Sequence, residues 1–230
     1  MIRRFLLDRS AASAAEFALV VAPALLLLFG TIDVGRYVWQ LNQYEKAVQL
    51  GTRYAVATAV IPKPLDAETF HGRSCSDGSV LGYGDAICAE AMATISCSNA
   101  SCSCTAGGSG LCVCPTGACP SSSAANYNSA AFTNLLTRMR VASKRITASN
   151  VSVVYSGSGL GYVGDPATTA DNDSDGDRDP LPDANPIVTV KLTNLSYQPI
   201  TLSLFSGATV PYPEFSYSLT LEDGEGVEAS

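Results

Sequence analysis

The sequence predicts an α+β protein, in which one long N-terminal helix packs on a small antiparallel sheet and a disulfide-rich insertion lies between them. Three observations carry this. A helical period runs through residues 12–60, interrupted only by Pro23; all eight cysteines fall between Cys75 and Cys119; and from Asn150 onward short runs alternate apolar and polar residues between Pro and Gly. With 230 residues, 47% of them hydrophobic, and a formal net charge of −7, the chain suffices for one ordinary domain and its appendages. The 14 Lys and Arg are scattered apart from Arg3, Arg4 and Arg9. A concentrated basic face is therefore missing, which excludes nucleic acid as a partner.

The helix opens in an apolar run. From Phe17 to Ile32 no residue is charged, which is about 24 Å of helix; adding Ala12–Glu16 gives about 31 Å, roughly the hydrocarbon thickness of a bilayer. Three arginines before the run and Asp33 after it place the N-terminus in the cytoplasm and the rest of the chain across the membrane. A cleaved secretory signal is the alternative, but FGTIDVGRYVWQL follows the run where a small-x-small cleavage site belongs. The run reads as a retained anchor over residues 12–32, preceded by a leader at 1–11.

Residues 33–61 continue the helix as an amphipathic segment. Val34, Tyr37, Leu41, Tyr44, Val48, Gly51 and Ala55 recur at spacings of three and four, with Arg36, Gln40, Gln43, Lys46 and Arg53 on other faces. Gly51, Ala55, Ala57 and Ala59 suit the close approach of another backbone, and Pro62 and Pro64 stop the helix near Val60. Pro23 is expected to kink it. Residues 62–128 form the Cys-rich loop region, with a short helix expected at Gly84–Ile95. Residues 129–230 begin with a helix at Ser129–Ser143, where Phe132, Leu135, Leu136 and Met139 share a face. Strands follow at Asn150–Tyr155, Pro186–Leu195, Ile200–Leu204 and Phe215–Leu221. The two helices are expected to cover the apolar face of this sheet.

Cys75, Cys88, Cys97, Cys102, Cys104, Cys112, Cys114 and Cys119 are even in number and lie in the part assigned to an oxidising compartment, so they read as disulfides of undetermined connectivity. Zinc is the weaker reading. Cys102-x-Cys104 and Cys112-x-Cys114 are spaced too tightly for the usual structural site, and no C-x-x-C occurs.

Two stretches of acid stand out. In DNDSDGDRDPLPD, residues Asp171, Asp173, Asp175 and Gly176 match the opening of a calcium loop, and Asp177 and Asp179 fall at later ligand positions. The twelfth position is Pro182 where a bidentate Glu belongs, so the motif is incomplete; a solvated acidic linker within the loop at 165–183 is the competing reading. Catalysis finds no support: His71 is the single histidine and no nucleophile or phosphate-loop motif is present, so the chain does not read as an enzyme.

The other acid is Glu16. A basic leader, small residues, Glu-Phe, a Leu-rich run and a continuing amphipathic helix together resemble type IV pilin-like prepilins. More closely, the A-E-F-A-L at Ala15–Leu19, Pro23 within the run, the D-x-G-R at Asp33–Arg36 and the L-G-T-R-Y-A at Leu50–Ala55 resemble the TadE-like minor pilins, or pseudopilins, of the tight-adherence (Flp) pilus system. This resemblance implies a pilin-like fold and processing by a membrane-embedded prepilin peptidase. In that family the Glu is the fifth residue of the mature chain, which puts the cut between Ala11 and Ala12; Ala11 stands where Gly is usual. It further implies that Phe17, Pro23, Val34, Tyr37, Leu41, Tyr44 and Val48 lie on a helix serving membrane insertion and contact with other pilins or pilus-machine proteins, and that the α-amine freed at Ala12 pairs with Glu16 of a neighbouring subunit. An unpaired carboxylate in a bilayer costs about 2.5 kcal/mol or more, so such a partner has a physical reason. The expected function is that of a single-pass inner-membrane structural protein in pilus assembly and surface adhesion. The alternative is an anchored or shed, disulfide-stapled adhesin outside any pilus.

Overall fold

The computed structural model describes residues 9–66, 70–92, 94–105, 127–164, 169–170, 179–180, 183–201 and 207–221. It divides into two compact units. The first comprises residues 1–42 with 195–212, the second residues 43–194 with 213–230. Helix α1 runs unbroken from Arg9 to Val56, through Pro23, and contributes to both.

α1 ends four residues before the expected Val60. The Ala57 N–H turns back onto the Tyr54 carbonyl at 3.2 Å, and the Thr58 hydroxyl donates to the same oxygen at 2.8 Å. A tightened last turn thus satisfies a carbonyl that the helix leaves open. Val60 and Ile61 remain buried beyond the helix end, and the four-residue helix α2, Lys63–Asp66, follows.

In the second unit the core is a five-stranded antiparallel sheet. Its strands are β1 (Thr94–Ser98), β2 (Ser101–Thr105), β3 (Val151–Ser156), β4 (Ile187–Leu192) and β5 (Phe215–Thr220), in spatial order β5-β4-β3-β1-β2. β3 and β4 bury alternate residues, and the register sets Val153 opposite Val190, Tyr155 opposite Val188 and Val151 opposite Leu192. Ile95 and Cys97 extend that face through their pairing with Tyr155 and Val153. Each of these side chains is at most 3% exposed, so one continuous apolar surface forms the core. Tyr155 carries its hydroxyl into it. The oxygen accepts from the Ile61 N–H at 3.3 Å, and burial pushes the phenol above its usual pKa against that bond.

The Cys-rich region contributes two strands that the sequence reading left out. The segment Gly84–Ile95, expected to be a helix, holds among its described residues only the single 3₁₀ turn Ala89–Ala91, and its end enters β1. Ile87, Ala91, Met92 and Ile95 are all buried, so the three-and-four spacing that suggested a helix is also met by an irregular chain pinned at several points. Those pins are the Cys75–Cys88 disulfide and the bonds from Ile87 N–H to the Gly161 carbonyl and from Val163 N–H to the Asp85 carbonyl, both 2.9 Å. The hairpin β1–β2 places Cys97 directly opposite Cys102, and the two are joined.

Helix α3, Ser129–Arg140, is capped by Asn128, whose side-chain oxygen accepts from the Ala131 N–H at 3.1 Å. Its buried face includes the expected Phe132, Leu135, Leu136 and Met139. It ends at Arg140, short of Ser143, where the Arg140 Nε bonds the Ile146 carbonyl at 2.8 Å. Gly51 of α1 is what admits α3: a Cβ there would stand 2.7 Å from Met139 Cγ and 3.4 Å from Leu135 Cδ1. Gly51 thus serves the close approach of side chains from this same chain, where the approach of another backbone was expected. Elsewhere along α1, the Tyr44 ring lies 5.8 Å from that of Phe215, and the Thr52 hydroxyl donates to the Tyr217 carbonyl of β5 at 3.2 Å.

Past Leu192 the expected strand Pro186–Leu195 stops at Asn194, which takes a left-handed conformation, φ 56°. Asn150 holds this corner by donating to the Thr193 and Asn194 carbonyls, both at 3.1 Å. Ile200 and Thr201 are helical where a strand was expected, and residues 202–206 lie outside the described residues.

Gly157, just after β3, has no room for a side chain, since an added Cβ would lie 2.0 Å from the Ala89 carbonyl oxygen. Gly157→Ala should therefore destabilise the second unit by about 1–3 kcal/mol or more. Gly35→Ala, with nothing within 4 Å of the new carbon, should leave stability unchanged or raise it slightly. Thermal unfolding of the two variants in detergent checks the contrast.

Candidate functional site

The candidate site is built on residues 13–40 of α1 and on the segment that packs against Asp33–Gln40. From Ser13 to Ile32 every side chain of α1 is exposed or half-exposed, including Phe17 at 69%, Leu19 at 75% and Leu27 at 71%. Only 6% of the most apolar window is inside the protein, and its mean hydropathy is 2.3. Among the described residues this is the one helix long and apolar enough to cross a membrane. Its hydroxyl at Thr31 is satisfied within the helix, donating to the Leu28 carbonyl at 2.8 Å.

Asp33 is the first buried residue of α1 after that run. The expected stripe put Val34 inward and left Gln40 outside; instead Val34 is 65% exposed, whereas Asp33 is 6% and Gln40 2% exposed. The inward face of this part of α1 is therefore partly polar. The reason lies in the segment Leu195–Tyr212, whose residues Ser196–Tyr197 and Val210–Pro211 pair as a short antiparallel ladder. The Asp33 carboxylate accepts from Ile200 N–H at 2.8 Å, Thr201 N–H at 2.9 Å, the Thr201 hydroxyl at 2.8 Å and the Tyr197 hydroxyl at 3.0 Å. Both carboxylate oxygens are engaged. Such charge-assisted bonds make burial of the group tolerable.

Three tyrosines pack on one another along the same face of α1. Tyr37 stacks on Tyr212 at 4.8 Å between centroids, with planes 7° apart, and meets Tyr197 edge-on at 5.6 Å. The Tyr212 hydroxyl donates to Gln40 Oε1 at 3.1 Å, and the Arg36 guanidinium lies 6.0 Å from the Tyr197 ring centroid. Asp33, Tyr37 and Gln40 thus share one face of α1 and clasp one segment.

Residues 11–53 match the family model of TadE-like proteins. Over those residues the N-terminal helix is similar to TadE-like proteins. No curated protein and no solved structure matches the chain. The TadE-like segment contains Glu16, the apolar run, Asp33 and Gln40, and it ends within α1 at Arg53, before the sheet and the Cys-rich region begin.

Within the TadE-like segment, Ala11 and Ala12 lie in the first turns of α1 and Glu16 is exposed one turn further on. Phe17 is exposed, Pro23 lies within the helix, and Tyr37 and Leu41 are half-buried. Tyr44 and Val48 are 2% and 1% exposed, buried in the second unit. Of the cysteines, Cys75–Cys88 and Cys97–Cys102 form disulfides, Cys104 on β2 is half-buried, and Cys112, Cys114 and Cys119 lie outside the described residues. So do Asp171, Asp173, Asp175 and Asp177, while Asp179 opens a two-residue strand paired with Thr169–Ala170. His71 stacks on Tyr83 at 4.2 Å. Beside the Cys75–Cys88 bridge, the Ser79 hydroxyl and N–H hold the Asp77 carboxyl below its ordinary pKa.

Sequence reasoning missed the Asp33 clasp. A usable signal existed in the spacing of Asp33, Tyr37, Gln40 and Tyr44 along one face, but it was read as an apolar stripe beginning at Val34. Removing the carboxylate should free the segment it holds. In Asp33→Ala, amide hydrogen exchange at Ile200 and Thr201 should rise to the level of an exposed loop, while Thr201→Val, which deletes one of the four bonds, should raise it less.

Proposed function

We propose that the chain is a TadE-like minor pilin, a single-pass structural protein of the inner membrane that takes part in assembling a tight-adherence pilus. The observation that carries this reading is the coincidence of the TadE-like match with an apolar helix whose side chains the rest of the protein leaves uncovered. In this reading Arg3, Arg4 and Arg9 keep the N-terminus in the cytoplasm, and the folded remainder is exported. The prepilin peptidase cuts between Ala11 and Ala12, and Glu16, one turn away, meets the amine of a neighbouring subunit. The disulfides at Cys75–Cys88 and Cys97–Cys102 suit the oxidising side of the membrane.

The same disulfides support a second reading, that of an anchored or shed adhesin that never enters a pilus. The mature N-terminus separates the two. Sequencing protein extracted from membranes should give Ala12 as the first residue; a start between Thr31 and Arg36 would mean ordinary signal cleavage and favour the adhesin. Glu16→Ala should leave membrane insertion intact and impair piliation, and normal piliation would count against the paired charge.

The loop from Asp171 to Asp179 is carried in this reading as a calcium loop of the exported part, where near-millimolar calcium makes a weak site useful. Calcium at about 1 mM should raise the melting temperature of the detergent-solubilised chain, and Asp173→Asn with Asp175→Asn should abolish the rise. No calcium-dependent shift would reduce the loop to a solvated linker.

A further inference from the structure

The apolar surface of α1 does not stop at Ile32. Val34 is 65% exposed, Val38 49% and Trp39 60%, on the side of the helix away from the clasp. Between the exposed Glu16 and the exposed Glu45 only two residues of α1 are charged, Asp33 and Arg36. Asp33 is buried and its carboxylate fully engaged, and Arg36 is half-buried against the Tyr197 ring. No fully exposed charge therefore occurs from Phe17 to Tyr44, a length of about 42 Å at 1.5 Å per residue. That is too long for the hydrocarbon core, about 30 Å, and matches the whole bilayer with its interfacial layers, about 40–45 Å.

From this match we infer that the clasp itself is a lipid-contacting element, and that Asp33–Gln40 with residues 195–201 and 207–212 sits in the headgroup layer of the membrane's outer leaflet. The composition fits that depth. Trp39, 60% exposed, and the half-buried Tyr37 are amphipathic aromatics of the kind favoured at membrane interfaces, and Ile200 and Val210 of the same unit expose 43% and 38% of their surface. The segment 195–212 carries no charged residue. The four bonds to Asp33 leave its carboxylate without need of water where α1 leaves the hydrocarbon. Continuity with the spanning surface points to phospholipid as the occupant of this face, in preference to a second protein.

The inference rests on the reading that the apolar run crosses the bilayer, and the two can fail separately. Trp39 is the sole tryptophan and reports on its own surroundings. In the full chain reconstituted into phosphatidylcholine vesicles, its emission should be blue-shifted, quenched by lipids brominated near the headgroup end of the acyl chain more than by lipids brominated near its terminus, and protected from aqueous iodide. A tryptophan moved to the clasp, Ile200→Trp in a Trp39→Phe background, should behave in the same way. Iodide quenching of both tryptophans, in a chain that resists alkaline carbonate extraction, overturns the inference and leaves the spanning helix standing. Protection from iodide and bromolipid alike would mean that protein covers this face, and overturns it too. Extraction by carbonate overturns both.

Discussion

A helix of 48 residues must have its surface covered at every turn, and what covers α1 changes along its length. From Ser13 to Ile32 the described residues supply almost nothing. From Asp33 to Gln40 a hairpin of tyrosines closes one side. From Tyr44 to Val56 the side chains of Phe215, Leu135 and Met139 and the backbone of β5 take over. The hydrophobic effect imposes this requirement on any long apolar surface.

The polar groups drawn in with α1 are few and individually satisfied. Asp33 is met by two backbone N–H groups and two hydroxyls, Gln40 by Tyr212 and Thr52 by the Val48 and Tyr217 carbonyls. Among the described residues no buried side-chain nitrogen or oxygen lacks a partner. Such groups cost about 1–3 kcal/mol each when left unpaired. They accordingly specify where distant segments dock: Asp33 selects Ile200 and Thr201, and Tyr155 selects Ile61, because no apolar contact would distinguish one register from the next.

The Cys-rich region does more than staple loops. Cys97 is 0% and Cys102 7% exposed, and Cys97 faces Val153 across the β1–β3 ladder. The disulfide fills core volume as well as shortening the unfolded chain's freedom. This is how a segment of Ser, Cys and Thr, with little apolar content of its own, comes to pair with the sheet.

The sequence by itself determined what is local. The extent of the apolar run, the helical period of α1 and α3, the alternation in β3, β4 and β5 and the TadE-like segment are properties of consecutive residues, and all are found in the structure within a few positions. Tertiary structure decided what depends on partners far along the chain. β1 and β2 exist because β3 offers an edge and two cysteines face each other; Gly84–Ile95 is not a helix because a disulfide and a short ladder pin it; and Asp33 is an interior residue because a hairpin more than 160 residues later brings it donors. Periodicity records which face of an element is apolar. It carries no record of whether a polar side chain on that face will find its hydrogen bonds, because those donors and acceptors belong to segments that only the folded chain brings near.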